Sequence, residues 1–131
     1  MPKGQCHCGA IRYEMPGEVA HHAACHCTDC RRATGAPLVS WALTSAEAIR
    51  IEGTPRVYAS SEHGRRHFCG DCGTSLFYTN EVIFPGMIDV QSATLDDPGE
   101  IPIQAQIQTA ERIGWMATLH ELPAFERYPA P

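Results

Sequence analysis

Seven cysteines fall into three tight clusters: Cys6-His7-Cys8, Cys25-His26-Cys27-Thr28-Asp29-Cys30 and Cys69-Gly70-Asp71-Cys72. Their arithmetic is four plus three. The two outer pairs would fill one tetrahedral metal site, so distant parts of the chain must meet there. The middle cluster supplies three ligands to a second site and leaves one position open. A closed site is characteristic of a structural metal and an open one of a catalytic metal. The spacing alone leaves another arrangement available, in which Cys25, Cys27 and Cys30 take a fourth ligand such as His67 or His120 and both sites are closed.

Disulfides fit this pattern poorly. The cysteine count is odd, and the start, Met1-Pro2-Lys3-Gly4-Gln5, lacks an apolar leader. A C-x-C pair also bridges itself only by sharp backbone bending. A thioredoxin-type C-x-x-C needs a βαβ setting that this sequence does not offer. Metal ligation suits the spacing. Residues two apart on a strand share a face, and their sulfurs can lean to the roughly 3.8 Å separation that Zn–S bonds near 2.3 Å require. C-x-x-C reaches the same separation through a turn, for which Gly70 and Gly73 offer positive φ. Soft thiolates with no carboxylate pattern favour zinc, two per chain, with iron as the alternative.

The 131 residues suit one domain, 1–131, with a core modest enough to profit from metal support. No run is long and apolar enough to cross a bilayer, and a soluble, cytoplasmic protein is expected. The formal net charge of −5 falls to roughly −8 once seven thiolates hold two divalent ions. That argues against nucleic acid as a partner. The basic residues cluster as two pairs beside cysteines. Arg31-Arg32 are candidate binders of a small anionic ligand's carboxylates, or else a solvated surface pair. Arg65-Arg66 are expected to be strand-edge charges.

The remaining pattern is mostly strand. Segments 10–14, 39–43, 49–52, 56–59, 66–69, 75–78, 82–84, 87–90, 103–107 and 115–119 read as strands, bounded by glycine and proline turns. Helix is scarce, with short helices expected at 29–34 and 45–48. The fold class is therefore mainly β, with small sheets tied by two metal sites. Trp41, Phe68, Phe77, Phe84 and Trp115 are expected in the core. His7 and His26 should point away from the metal faces of their neighbouring cysteines. His21, His22 and His63 read as loop residues, His67 as packing, and Asp29 and Asp71 as local turn formers.

The strings Gly4-Gln5-Cys6-His7-Cys8-Gly9-Ala10, Cys25 to Arg32, Gly35-Ala36-Pro37 and Phe68 to Thr74 resemble the glutathione-dependent formaldehyde-activating enzyme family, whose domain is shared with centromere protein V. The tail Trp115…Leu122-Pro123-Ala124-Phe125-Glu126 is similar to that family's ending, and Gln106 stands where many members carry histidine. The resemblance implies a β-tent fold with two zinc ions. It implies a structural site at Cys6, Cys8, Cys69 and Cys72, and a catalytic one at Cys25, Cys27 and Cys30. The implied activity is that of a carbon–sulfur lyase of the S-(hydroxymethyl)glutathione synthase type, with glutathione as the small thiol partner and formaldehyde as the aldehyde. The competing reading is a non-catalytic zinc-stabilised binding module.

Overall fold

The computed structural model describes residues 1–129. Strands β1 (Lys3–Gln5), β2 (Arg12–Glu14) and β5 (Arg50–Glu52) form an antiparallel sheet in the order β1-β2-β5. A larger sheet contains β3 (His21–Cys25), β4 (Val39–Ser45), β6 (Arg56–Ala59), β7 (Gly64–Phe68), β8 (Ser75–Asn80), β9 (Met87–Gln91) and β10 (Ala105–Ile107), ordered β10-β3-β4-β9-β8-β7-β6. All its pairings are antiparallel except β10 with β3. Helix α1 (Thr28–Thr34) joins β3 to β4 and ends at Gly35, whose φ of 69° supplies the left-handed cap. The protein is mainly β with little helix, as its sequence predicts.

Directly paired residues in a sheet project to the same face, and the register sorts the large sheet's two faces into different jobs. On one face, Val90 of β9 pairs with Ala42 of β4 on one side and Phe77 of β8 on the other, and all three are fully buried. They pack with Tyr13, Ile11 and Met15 from around the small sheet. The Tyr13 ring meets Phe77 edge-on at 5.3 Å between centroids. The register shifts between His67 and Phe68, which pair with Phe77 and Ser75 and leave Leu76 without a partner. That bulge accompanies the burial of two successive residues, Leu76 and Phe77, in one core. The opposite face runs Tyr58, Arg66, Tyr78, Asp89 and Leu43 across β6, β7, β8, β9 and β4.

Several local expectations are corrected. Residues 82–84 form a turn instead of a strand, because Asn80 Oδ1 accepts from the Val82 and Ile83 N–H groups at 3.1 Å each. Residues 45–48 are also a turn: the Ser45 hydroxyl accepts from Glu47 N, and Ala48 N closes on Ser45 O. Trp115 to Leu119 lie in the 3-10 segment Gly114–Glu121, and Trp115 is 49% exposed, so it is no core residue. His21 and His22 belong to β3, where His-His-Ala-Ala-Cys lacks β-branched residues and pairing with β4 dictates the conformation. Gly73 takes positive φ (82°) as expected, but Gly70 does not; a Cβ there would press within 2.7 Å of Arg56 Cδ.

Gly53 sits between β5 and β6 at a φ of 87°, against the Ala10 carbonyl oxygen and 2.8 Å, at its missing Cβ, from Ile11 Cδ1. Left-handed strain and a clash with backbone act together there. Gly53→Ala is expected to lower stability by at least about 2 kcal/mol. Urea unfolding checks this, and an unchanged midpoint would contradict it.

Candidate metal centre

The four outer cysteines converge from two knuckles. The first follows β1: Cys6 N donates to Ile11 O, Gly9 N to Cys6 O, and Ile11 N to Cys6 Sγ at 3.2 Å. The second follows β7: Cys69 N donates to Thr74 O and Gly73 N to Cys69 O at 2.8 Å. Gly9 and Gly73, each just after a cysteine, take φ near 80° and let the chain double back. The ligand atoms of Cys6, Cys8, Cys69 and Cys72 all lie within 4.8 Å of one another. Two of those separations, Cys6–Cys8 and Cys8–Cys69, are 3.7 Å. That is about the edge of a zinc tetrathiolate tetrahedron. Cys6 and Cys69 are buried in the core, whereas Cys8 and Cys72 reach the surface. Hydrogen bonding from Thr74 pulls Cys72 down to about 5, which favours the thiolate a metal needs.

The three middle cysteines form a separate group, also within 4.8 Å. Cys25 ends β3, Cys27 is the N-cap of α1, and Cys30 lies in its first turn. The Cys27 sulfur accepts from Cys30 N at 3.2 Å, so the helix start itself fixes two ligands. Val39 and Trp41 of β4 back the group. Both face the same way as Cys25, on the side of the large sheet away from the main core. Hydrogen bonding from Cys25, then from Cys27 and the Trp41 indole, with the Arg66 charge, draws Cys30 down to about 5 against the opposing effect of burial. Cys25 is pushed up in return by its bond to Cys30 and by burial. Three thiols this close titrate as a group, so the first negative charge is shared among them. Sulfur separations, soft donors and sulfur-directed N–H groups in both clusters fit a thiophilic divalent ion such as zinc.

Neither His67 nor His120 completes the middle group. His67 Nε2 bonds Thr79 Oγ1 at 3.0 Å, and its ring meets Phe77 edge-on. His120 lies in the exposed segment Gly114–Glu121. His26 is buried and bonds Gln106 Oε1 at 2.9 Å, away from the ligand set. Arg31 reaches back to Thr28 Oγ1 at 3.2 Å, and its Nε is buried without a partner among the described residues. Arg32 is exposed.

Three neighbours escape the sequence reading. Arg66 is not an edge charge: β7 lies inside the sheet, Arg66 is buried, and both Nη atoms stand 3.8 Å from Cys30 Sγ. Asp89 lies two strands away on the same face, and burial, then the Cys30 charge, lifts it to about 7. Gln91, paired with Trp41, has a buried Oε1 without a partner among the described residues. One signal was present for Asp89, a charge set between Ile88 and Val90 in an apolar strand. A cavity of about 390 Å³ lies beside Arg66, lined by Ala33, Tyr58, Arg66, Phe68, Gly73 and Ser75.

A mainly β protein with one four-thiol and one three-thiol centre, on opposite faces of one sheet, is a narrow class. Within it, the chain belongs to the glutathione-dependent formaldehyde-activating enzyme family, whose sequence profile matches residues 1–111. It is 34% identical over 80 residues to an uncharacterized lyase of Schizosaccharomyces pombe, covering 60% of this chain and 58% of that one. It is 29% identical over 87 residues to a Halomonas elongata protein provisionally named a glutathione-dependent formaldehyde-activating enzyme, covering 57% and 54%. The chain thus spans a little over half the length of these relatives. A crystal structure of a Rhodobacter sphaeroides protein superposes with a TM-score of 0.59 at 25% identity, covering 79% of this chain and 98% of that one.

Proposed function

We propose that the protein is a zinc-dependent carbon–sulfur lyase that joins a small thiol, glutathione by family membership, to an aldehyde such as formaldehyde. The carrying observation is the three-thiol group, which has no fourth protein ligand among the described residues; Arg66, whose guanidinium touches Cys30, also lines a cavity. Cys25, Cys27 and Cys30 would hold the catalytic ion, and Cys6, Cys8, Cys69 and Cys72 a structural one. When bound, the catalytic ion supplies an ionised thiol at neutral pH, where a free thiol is only a few per cent thiolate.

The overall change is balanced: a C–S bond forms, the carbonyl π pair moves to oxygen, and the thiol's proton ends on that oxygen. Asp89, whose carboxyl burial and then the Cys30 charge lift to about 7, would carry the proton. Arg31, with its unpartnered buried Nε, and Arg32 would receive the thiol's carboxylates. The cavity beside Arg66 is of ligand size and would take the thiol's body. Trp41 and Val39 exclude water from the inner side of the centre.

Saturation-transfer NMR of exchange between hydrated formaldehyde and its glutathione adduct tests the reading. Exchange faster than the spontaneous rate is expected; no acceleration with glutathione or any other small thiol would defeat it. Asp89→Asn is expected to slow catalysed exchange by about 10²-fold or more and to remove an inflection near pH 7. An unaltered pH profile would remove Asp89 from the mechanism.

A further inference from the structure

Arg66 is 8% exposed, yet no carboxylate pairs with it: the ion pairs among the described residues are Lys3–Glu14 and His63–Glu62. A charge taken so far out of water needs compensation close at hand. Two contacts supply it. The guanidinium carbon lies 5.0 Å above the centroid of the Tyr78 ring, and the two Nη atoms straddle Cys30 Sγ at 3.8 Å each. The planar fork thus meets a single sulfur, a geometry that an ammonium cannot reproduce. Tyr78 also packs against the three-cysteine group, so stacking and donation hold the side chain in one position.

We propose that Arg66 is a positioning residue of the three-cysteine centre, holding Cys30 Sγ in place and supplying the counter-charge that makes a divalent ion the preferred occupant. The inference rests on the reading of that centre as a metal site. Three thiolates around a divalent ion leave one net negative charge, and one guanidinium cancels it. A trivalent ion would be neutral without Arg66 and is disfavoured by it. Among the described residues no guanidinium donates to a sulfur of the four-cysteine centre as Arg66 does to Cys30; two of its sulfurs reach the surface, where water does the screening. Strand β7 therefore serves both centres, presenting Arg66 to one face and leading into Cys69 on the other. Donation to Cys30 also lowers its electron release, so a bound ion remains a stronger electrophile.

The test is titration of the whole chain with Co²⁺ and Zn²⁺ against a competing chelator, with the four-cysteine centre as internal reference. Arg66→Met is expected to weaken the second ion's binding about 10- to 100-fold and leave the first unchanged. The sulfur-to-cobalt charge-transfer band of the second site should move to lower energy, because the sulfur loses two donors. Arg66→Lys keeps the charge without the fork and should restore part of the affinity. It also serves as the milder variant if Arg66→Met folds poorly. Two variants that bind the second ion as tightly as wild type, with an unmoved band, overturn the proposal. So does equal weakening of both sites, which would mean general destabilisation. Uptake of only one ion by wild type refutes the metal reading of the three cysteines itself, a result distinguishable from failure at Arg66.

Discussion

Cys69→Ser is expected to leave the chain unable to hold its native fold. Cys69 is 1% exposed and shares a core cluster with Cys6, Ile11, Leu76 and Phe77. It follows β7, whose partner β8 carries Phe77 into contact with Tyr13 of the small sheet. The four-thiol centre therefore fastens the amino-terminal knuckle to the β7–β8 hairpin, where the sheets meet. A zinc ion held by these four thiols would be worth about 10–16 kcal/mol. A whole domain is stable by only about 5–15 kcal/mol, so losing the ion outweighs what the remaining core can supply. The buried serine hydroxyl adds an unsatisfied donor to that loss. Circular dichroism should show the strand signature collapsing and metal analysis the loss of bound ions. A strong chelator should do the same to wild type. A Cys69→Ser protein that melts cooperatively at the wild-type temperature would disprove the structural role.

The sequence showed which cysteines gather, because ligand spacing is a local property that the backbone preserves. It showed most strands for a similar reason: Met87-Ile88-Asp89-Val90-Gln91 alternates with the pleat, and Val39-Ser40-Trp41-Ala42-Leu43 is rich in apolar residues. It could not show β3, whose two histidines and two alanines are extended because β4 pairs with all five residues and β10 with three of them. Nor could it show Arg66. Burial of that side chain follows from strand order, which sets β7 inside the sheet, and from helix α1 carrying Cys30 onto the same face. The aromatic residues divide likewise. Trp41 and Phe77 are buried because their partners across the sheet are. Trp115 follows a strand, β10, after which the chain leaves the core.

Cys27→Ser should keep the fold, lose one of two ions and abolish catalysed exchange. The three middle cysteines are unequal as probes. Cys30→Ser would strand the Arg66 guanidinium without its sulfur, and an uncompensated buried charge costs about 3–5 kcal/mol. Lost activity there could follow from lost structure. Cys25 is buried among Val39 and Trp41, with similar ambiguity. Cys27 is partly exposed, and its structural duty is to cap α1 by accepting from Cys30 N. Serine is among the best residues for that duty, so the helix start survives and stability should change by less than about 1 kcal/mol. What serine does not replace is a soft thiolate for a thiophilic ion. Metal stoichiometry of one with a wild-type melting curve would therefore separate the two centres physically, one required for the fold and the other not. Exchange falling to the spontaneous rate in that same folded protein would tie the chemistry to the three-thiol centre. If Cys27→Ser accelerates exchange as well as wild type does, the reaction takes place elsewhere, and the middle cysteines are ligands of a second structural ion or of none.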